Sequence, residues 1–195
     1  QRLTSPDKVD EWFERKTRGL NDWKKAELKR KWGTMQVVLG SKSRIAQVVK
    51  DVVLDFEAKP RLAGGRGNAM LVAASIYEAC QYYKLFQDSP LKNHCALVTS
   101  YDPQSKNLTT EDTGAENETD LKFIDAVYKE LLKDVDARPG LSTAATYEKD
   151  AKKAFKERPG ELRLVIVVSM LLTGFDAPSC TYLYIDKFMQ DHGLF

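Results

Sequence analysis

The chain has 195 residues, 43% hydrophobic and 30% charged, with a formal net charge of +2; this suits one domain with a core of its own and excludes a disordered or fibrous chain. The longest apolar run, Leu164–Leu172, is too short to cross a membrane and is broken by Ser169, and nothing resembles a signal peptide. Three cysteines without metal-ligand spacing (Cys80, Cys95 and Cys180) point to buried thiols in a reducing, cytoplasmic setting.

The charge is unevenly spread. Residues 1–66 hold 16 Lys and Arg against 9 Asp and Glu; residues 67–195 hold 14 against 19. A basic N-terminal part suits phosphate contact or a solvated helical face. Within it, Val9–Gly19 reads as a short helix. Trp12, Phe13, Trp23 and Trp32 stand in a Lys-rich stretch, as anchors of a helical appendage or as stacking platforms for bases. Ser41–Ala58 is a clearer helix: Ile45, Val48, Val49, Val52, Val53 and Phe56 recur at helical spacing, Ser41 or Ser43 supplies the cap, and Pro60 ends it. Ala63–Gly67 is then a flexible link.

From here the pattern changes. Ala69–Ala74 is a continuous apolar run, as in a strand covered on both faces. Ser75 with Glu78 forms a capping box, and the helix it opens turns Ile76, Ala79, Cys80 and Tyr83 inward. Cys95–Val98 is the second strand, and residues 101–119 form a polar excursion. Asp120 opens a helix with Leu121, Ile124, Val127, Tyr128 and Leu131 inward; Tyr147–Phe155 is another, stopped by Pro159-Gly160. Leu162–Val168 and Thr181–Ile185 are the last strands. Strands alternating with helices predict an α/β fold, a mostly parallel sheet with helices on both faces and ligands at the carboxyl ends of its strands.

Neither GxxxxGK[ST] nor GxGxxG occurs, and Gly64-Gly65-Arg66-Gly67 precedes a strand instead of joining strand to helix, so it reads as a linker. His94 and His192 lack metal-ligand spacing, and no nucleophile–base pair stands out. Leu162–Asp191 asks for an explanation: a buried strand runs into Leu171-Leu172-Thr173-Gly174-Phe175-Asp176-Ala177-Pro178. Gly174 permits a tight turn or close approach to a ligand, Thr173 offers a hydroxyl and Asp176 a carboxylate. A sharp loop between core strands, with Asp176 as a cap, fits the same residues.

That segment resembles motif V in the second RecA-like lobe of superfamily 2 helicases and translocases, and more specifically the motor (R) subunit of type I restriction enzymes. The resemblance rests on AMLVAASIYEACQYYKLF (69–86), CALVTSYDP (95–103), VIVVSMLLTGFDAPSCTYLYIDK (165–187) and MQDHGLF (189–195), with Glu111 and Gly114 in the excursion, and covers roughly residues 41–195. It implies a basic helical appendage over 1–62 and a RecA-like, P-loop NTPase-type second lobe over 63–195. The start at Gln1 and the stop at Phe195 suggest a piece of a longer chain, incomplete at the C-terminus before motif VI. It further implies DNA contact by Thr173, Gly174, Ser75 and Ser100, and an ATP cleft beside Asp176 and Gly174. The intact subunit would use ATP and Mg2+, pull duplex DNA and cleave it at distant sites. Its partners would be the methyltransferase and specificity subunits, without a membrane; this chain alone would be inactive, with no catalytic residue of its own. A non-catalytic module docking those subunits, or a lobe of another superfamily 2 translocase, are the alternatives.

Overall fold

The computed structural model describes residues 19, 21–103, 113–115, 117–168 and 177–187, and for 27–43 the backbone alone. The helix expected over Val9–Gly19, with Trp12 and Phe13, lies outside them except for Gly19, as does His192. The chain divides into two compact units, Gln1–Gln47 and Val48–Phe195.

Helix α1 spans Asp22–Ala58. It begins well before Ser41, so neither Ser41 nor Ser43 caps a helix start. Asn21 does that work, its Oδ1 accepting from the Lys24 amide at 2.9 Å. No proline interrupts 22–58. Gly33 and Gly40 each cost about 1 kcal/mol relative to Ala, which the flanking Lys, Ala, Glu and Leu residues outvote. In the first unit Trp23 is exposed.

In the second unit the last turns of α1 bury Val52 and Phe56. Pro60 then opens the short helix α2, Pro60–Ala63, where its missing N–H costs nothing. The expected flexible link is instead a packed turn. The amides of Gly65 and Gly67 donate to the carbonyls of Leu62 and Arg61. Gly67 is buried, and a Cβ there would lie 2.6 Å from Thr181 Oγ1.

The remaining elements are β1 Asn68–Ala73, α3 Ile76–Gln87, β2 Cys95–Val98, α4 Glu118–Leu132, α5 Thr143–Glu157, β3 Leu164–Val167 and β4 Cys180–Asp186. They form a four-stranded sheet in the order β2-β3-β1-β4, with every pairing parallel. Ala69 pairs with Leu164, and Leu164 with Cys95, so equivalent positions across three strands share a face. On one face Met70, Val72, Ala96, Val98, Val165 and Val167 pack with Ala151 and Phe155 of α5. The opposite face lies against α3 and the end of α1. Gln87 Nε2 of α3 contacts Cys95 Sγ at 3.2 Å, and the Tyr184 hydroxyl donates to Asp55 of α1 at 2.9 Å. Double coverage is why β1, β2 and β3 are apolar at nearly every position instead of alternating. The α/β class and the parallel sheet with helices on both faces are thus as expected. At the sheet's margin β4 leaves Leu183 and Ile185 exposed, on the flank of the Met70 face that α5 does not cover.

Local starts differ from expectation where polar caps reach further upstream. Helix α4 begins at Glu118, because Asn117 Oδ1 takes the Asp120 amide at 3.0 Å. Helix α5 begins at Thr143 and not Tyr147, because Ser142 Oγ takes the Ala145 amide. On α3 the fully buried tyrosine is Tyr82, not Tyr83; its hydroxyl donates to Asp186 at the end of β4. At the entry to β1, Asn68 is completely buried and its Nδ2 donates to the Phe155 carbonyl at 2.6 Å, tying the end of α5 to the sheet. Among the described residues no helix is long and apolar enough to cross a membrane.

Candidate functional site at the carboxyl edge of the sheet

Because all four strands run the same way, their carboxyl ends share one edge, where ligands of open α/β sheets bind. Ser75 follows β1, Ser100 follows β2, Val168 follows β3, and Asp186 with Lys187 ends β4. Thr173, Gly174 and Asp176 lie outside the described residues, within 169–176. Their flanks are fixed. Val168 stands at the carboxyl edge, whereas Ser179 stands at the amino edge, its carbonyl accepting from the Asn68 amide at 3.0 Å.

Ser75 is half-buried and caps α3, its Oγ accepting from the Glu78 amide at 3.1 Å. The excursion's return segment lies directly on it: Gly114 has φ +66°, and a Cβ there would fall 2.3 Å from Ser75 Cβ. Ser100 is exposed. Just before it, Thr99 is buried and its hydroxyl is shared with the Tyr128 hydroxyl and the Tyr101 amide. Ser75 and Ser100 therefore sit on the same edge with β3 between them, two strand spacings or about 10 Å apart.

Beside Ser100 opens a cavity of about 180 Å³ between the end of β2, the end of α4 and the start of α5. Thr99, Asp102, Tyr128, Tyr147, Ser142 and Glu148 line it. Ser142 Oγ donates to Asp102 Oδ2 at 2.8 Å, and the Tyr147 hydroxyl accepts from the Leu97 amide at 3.3 Å. A second cavity of about 210 Å³ adjoins it, bordered by Lys129 and Lys133, which pair with Asp125 and Asp134. Burial pushes the Tyr128 and Tyr147 hydroxyls well above the ordinary tyrosine range, so both stay protonated hydrogen-bonding groups.

Among the described residues, charged side chains of both signs stand around these loops: Glu78, Asp102, Glu148 and Asp186, with Lys129, Lys133 and Lys187. No glycine run among the described residues joins a strand to a helix where it could cradle the phosphates of a nucleoside triphosphate. Among the described residues no group of three or more His, Cys, Asp or Glu is placed to hold a metal ion. Sequence reasoning missed the Thr99–Tyr128 hydroxyl pair, the Tyr147 hydroxyl on the Leu97 amide and the Ser142–Asp102 bond, because a lone polar residue beside an apolar run carries no signal of its distant partner. It singled out Gly114 only as a point of resemblance, although a glycine within a polar excursion is itself a sign of close approach or positive φ.

Residues 65–195 match the family model described as type I restriction enzyme subunit R domain 3. The chain is 28% identical over 170 residues to a Methanocaldococcus jannaschii protein provisionally named the type I restriction enzyme MjaIXP endonuclease subunit; the match covers 87% of this chain and 13% of that protein. Over 43 residues it is 49% identical to the type I restriction enzyme HindI endonuclease subunit of Haemophilus influenzae, covering 22% of this chain and 4% of that protein. The chain thus spans a small part of the length of either relative.

Proposed function

The chain belongs to the type I restriction enzyme subunit R domain 3 family, and from that premise we propose that residues 63–195 are the second RecA-like lobe of an ATP-driven, DNA-translocating restriction subunit. Residues 1–62 lead in from the region before it. The observation that carries this reading is the coincidence of the family match, over 65–195, with a parallel sheet whose carboxyl ends converge on one edge. Of the residues singled out for DNA or nucleotide contact, Ser75 and Ser100 stand just after β1 and β2, and Thr173 and Gly174 come after β3 in sequence.

In this reading the intact subunit binds ATP and Mg2+ chiefly through parts outside this chain, with Gly174 and Asp176 bordering the cleft. Duplex DNA is held from this side by Thr173, Gly174 and Ser100. The Ser75 oxygen already accepts a backbone hydrogen bond, so its share is the proton that its hydroxyl can still donate. Contacts of this kind grip the backbone without reading bases, as a motor moving along any sequence requires. The methyltransferase and specificity subunits complete the complex and supply recognition. The setting is cytoplasmic, in keeping with three free cysteines.

The test compares this chain with the intact subunit. The 195-residue chain alone is expected to show no ATP turnover and no DNA cleavage, and the intact subunit to hydrolyse ATP faster when duplex DNA of arbitrary sequence is added. Turnover by the isolated chain, or an intact subunit indifferent to DNA, would contradict the reading.

A further inference from the structure

We propose that Gly114 is a positioning residue of the DNA-facing edge, acting through Ser75; the inference deepens the motor reading and rests on it. After β2 the chain leaves the carboxyl edge at Asp102 and Pro103. It is back on that edge at Thr113–Ala115, not beside β2 but at the end of β1, with β3 between the two places. The return is firmly seated. Thr113 is completely buried, its Oγ1 accepts from the Ala115 amide at 3.3 Å, and Ala115 is buried as well.

Only a glycine can make this contact. At Gly114 a Cβ would lie 2.3 Å from Ser75 Cβ, 2.8 Å from Ser75 Oγ and 3.7 Å from Ser75 Cα. The atom in the way is a Cβ fixed to the backbone, not the end of a side chain that can swing aside, so the turn or the start of α3 has to move. The positive φ of +66° adds the ordinary left-handed penalty. Gly140 separates the two effects: its φ is +79°, yet a Cβ there would meet nothing within 4 Å. Substitution at Gly140 therefore brings backbone strain alone, whereas substitution at Gly114 brings strain and displacement of Ser75. Ser75 follows β1, which pairs with β3, so displacing it disturbs the edge assigned to DNA.

The experiment uses the intact subunit with Gly114→Ala, Gly140→Ala, Ser75→Gly and the double variant Gly114→Ala/Ser75→Gly, and follows ATP hydrolysis against duplex DNA concentration. Gly114→Ala is expected to raise the half-saturating DNA concentration by about fivefold or more, with a smaller effect at saturating DNA. Gly140→Ala should stay within about twofold of wild type. Ser75→Gly removes the opposing Cβ together with the hydroxyl assigned to DNA, so it weakens DNA affinity on its own; in that background, with the clash gone, Gly114→Ala should add less than about twofold. If Gly114→Ala fails to fold, recovery of folded protein by the second change supports the contact. Equal behaviour of the Gly114 and Gly140 variants, or an undiminished effect of Gly114→Ala in the Ser75→Gly background, overturns the proposal. A wild-type subunit without DNA stimulation overturns the motor reading itself.

Discussion

Cys80 and Cys95 face the two sides of one helix–sheet interface, and burial pushes each thiol from an ordinary value of 9.0 up to about 12. In the unfolded chain both ionise near 9; in the folded chain neither does until about 12. Between those values the unfolded state binds fewer protons, so stability falls as pH rises from 9 toward 12 and is untouched by these groups below 9. Tyr128, Tyr147 and Tyr184, all raised chiefly by burial, push in the same direction above their ordinary value of 10.0. The urea midpoint of the chain should therefore be lower at pH 10 than at pH 8; an equal or higher midpoint would show that these groups are not buried as described. Burial of the two thiols was legible in the sequence because both stand inside apolar runs. The burial of Tyr82 instead of Tyr83 was not: adjacent tyrosines fit helical spacing about equally, and what decides is Asp186, 104 residues away, taking the Tyr82 hydroxyl.

At the scale of elements, strands were read more accurately than helix starts. A parallel strand covered on both faces is apolar throughout, as Leu164–Val167 is, and that pattern is visible without partners. Helix starts depend on one polar oxygen meeting one amide, so Asn117 and Ser142 moved α4 and α5 upstream of their apolar periodicity, and Asn21 did the same for α1. Ser142 carries two roles, accepting from the Ala145 amide and donating to Asp102 across the cavity beside Ser100. Ser142→Ala is expected to destabilise the chain by about 0.5–2 kcal/mol, from the lost cap and the lost bond to Asp102. Urea unfolding measures this directly, and a shift within error would mean that α5 does not depend on its cap. The turn at 64–67 taught the converse lesson. Its glycines suggested flexibility, yet Gly67 is there because Thr181 of β4 leaves no room for a Cβ.

For the whole molecule, the sheet's direction of travel is the fact on which function turns. Alternating strands and helices were enough to expect a parallel sheet, and in the described residues the carboxyl ends of all four strands share one edge, with Ser75 and Ser100 on it. What no local pattern could reveal is the strand order β2-β3-β1-β4, which sets the end of β3 between those two serines. The motor account depends most on Asp176, assigned to the nucleotide cleft. Its most direct test is ATP hydrolysis by the intact subunit, with and without duplex DNA, for wild type and Asp176→Ala. The account predicts DNA-stimulated hydrolysis in the wild type and a loss of about tenfold or more in the variant, as removal of one group acting in the transition state brings. Unchanged hydrolysis in Asp176→Ala would reduce that carboxylate to a cap in a loop, and a wild-type subunit that hydrolyses no ATP would contradict the account altogether.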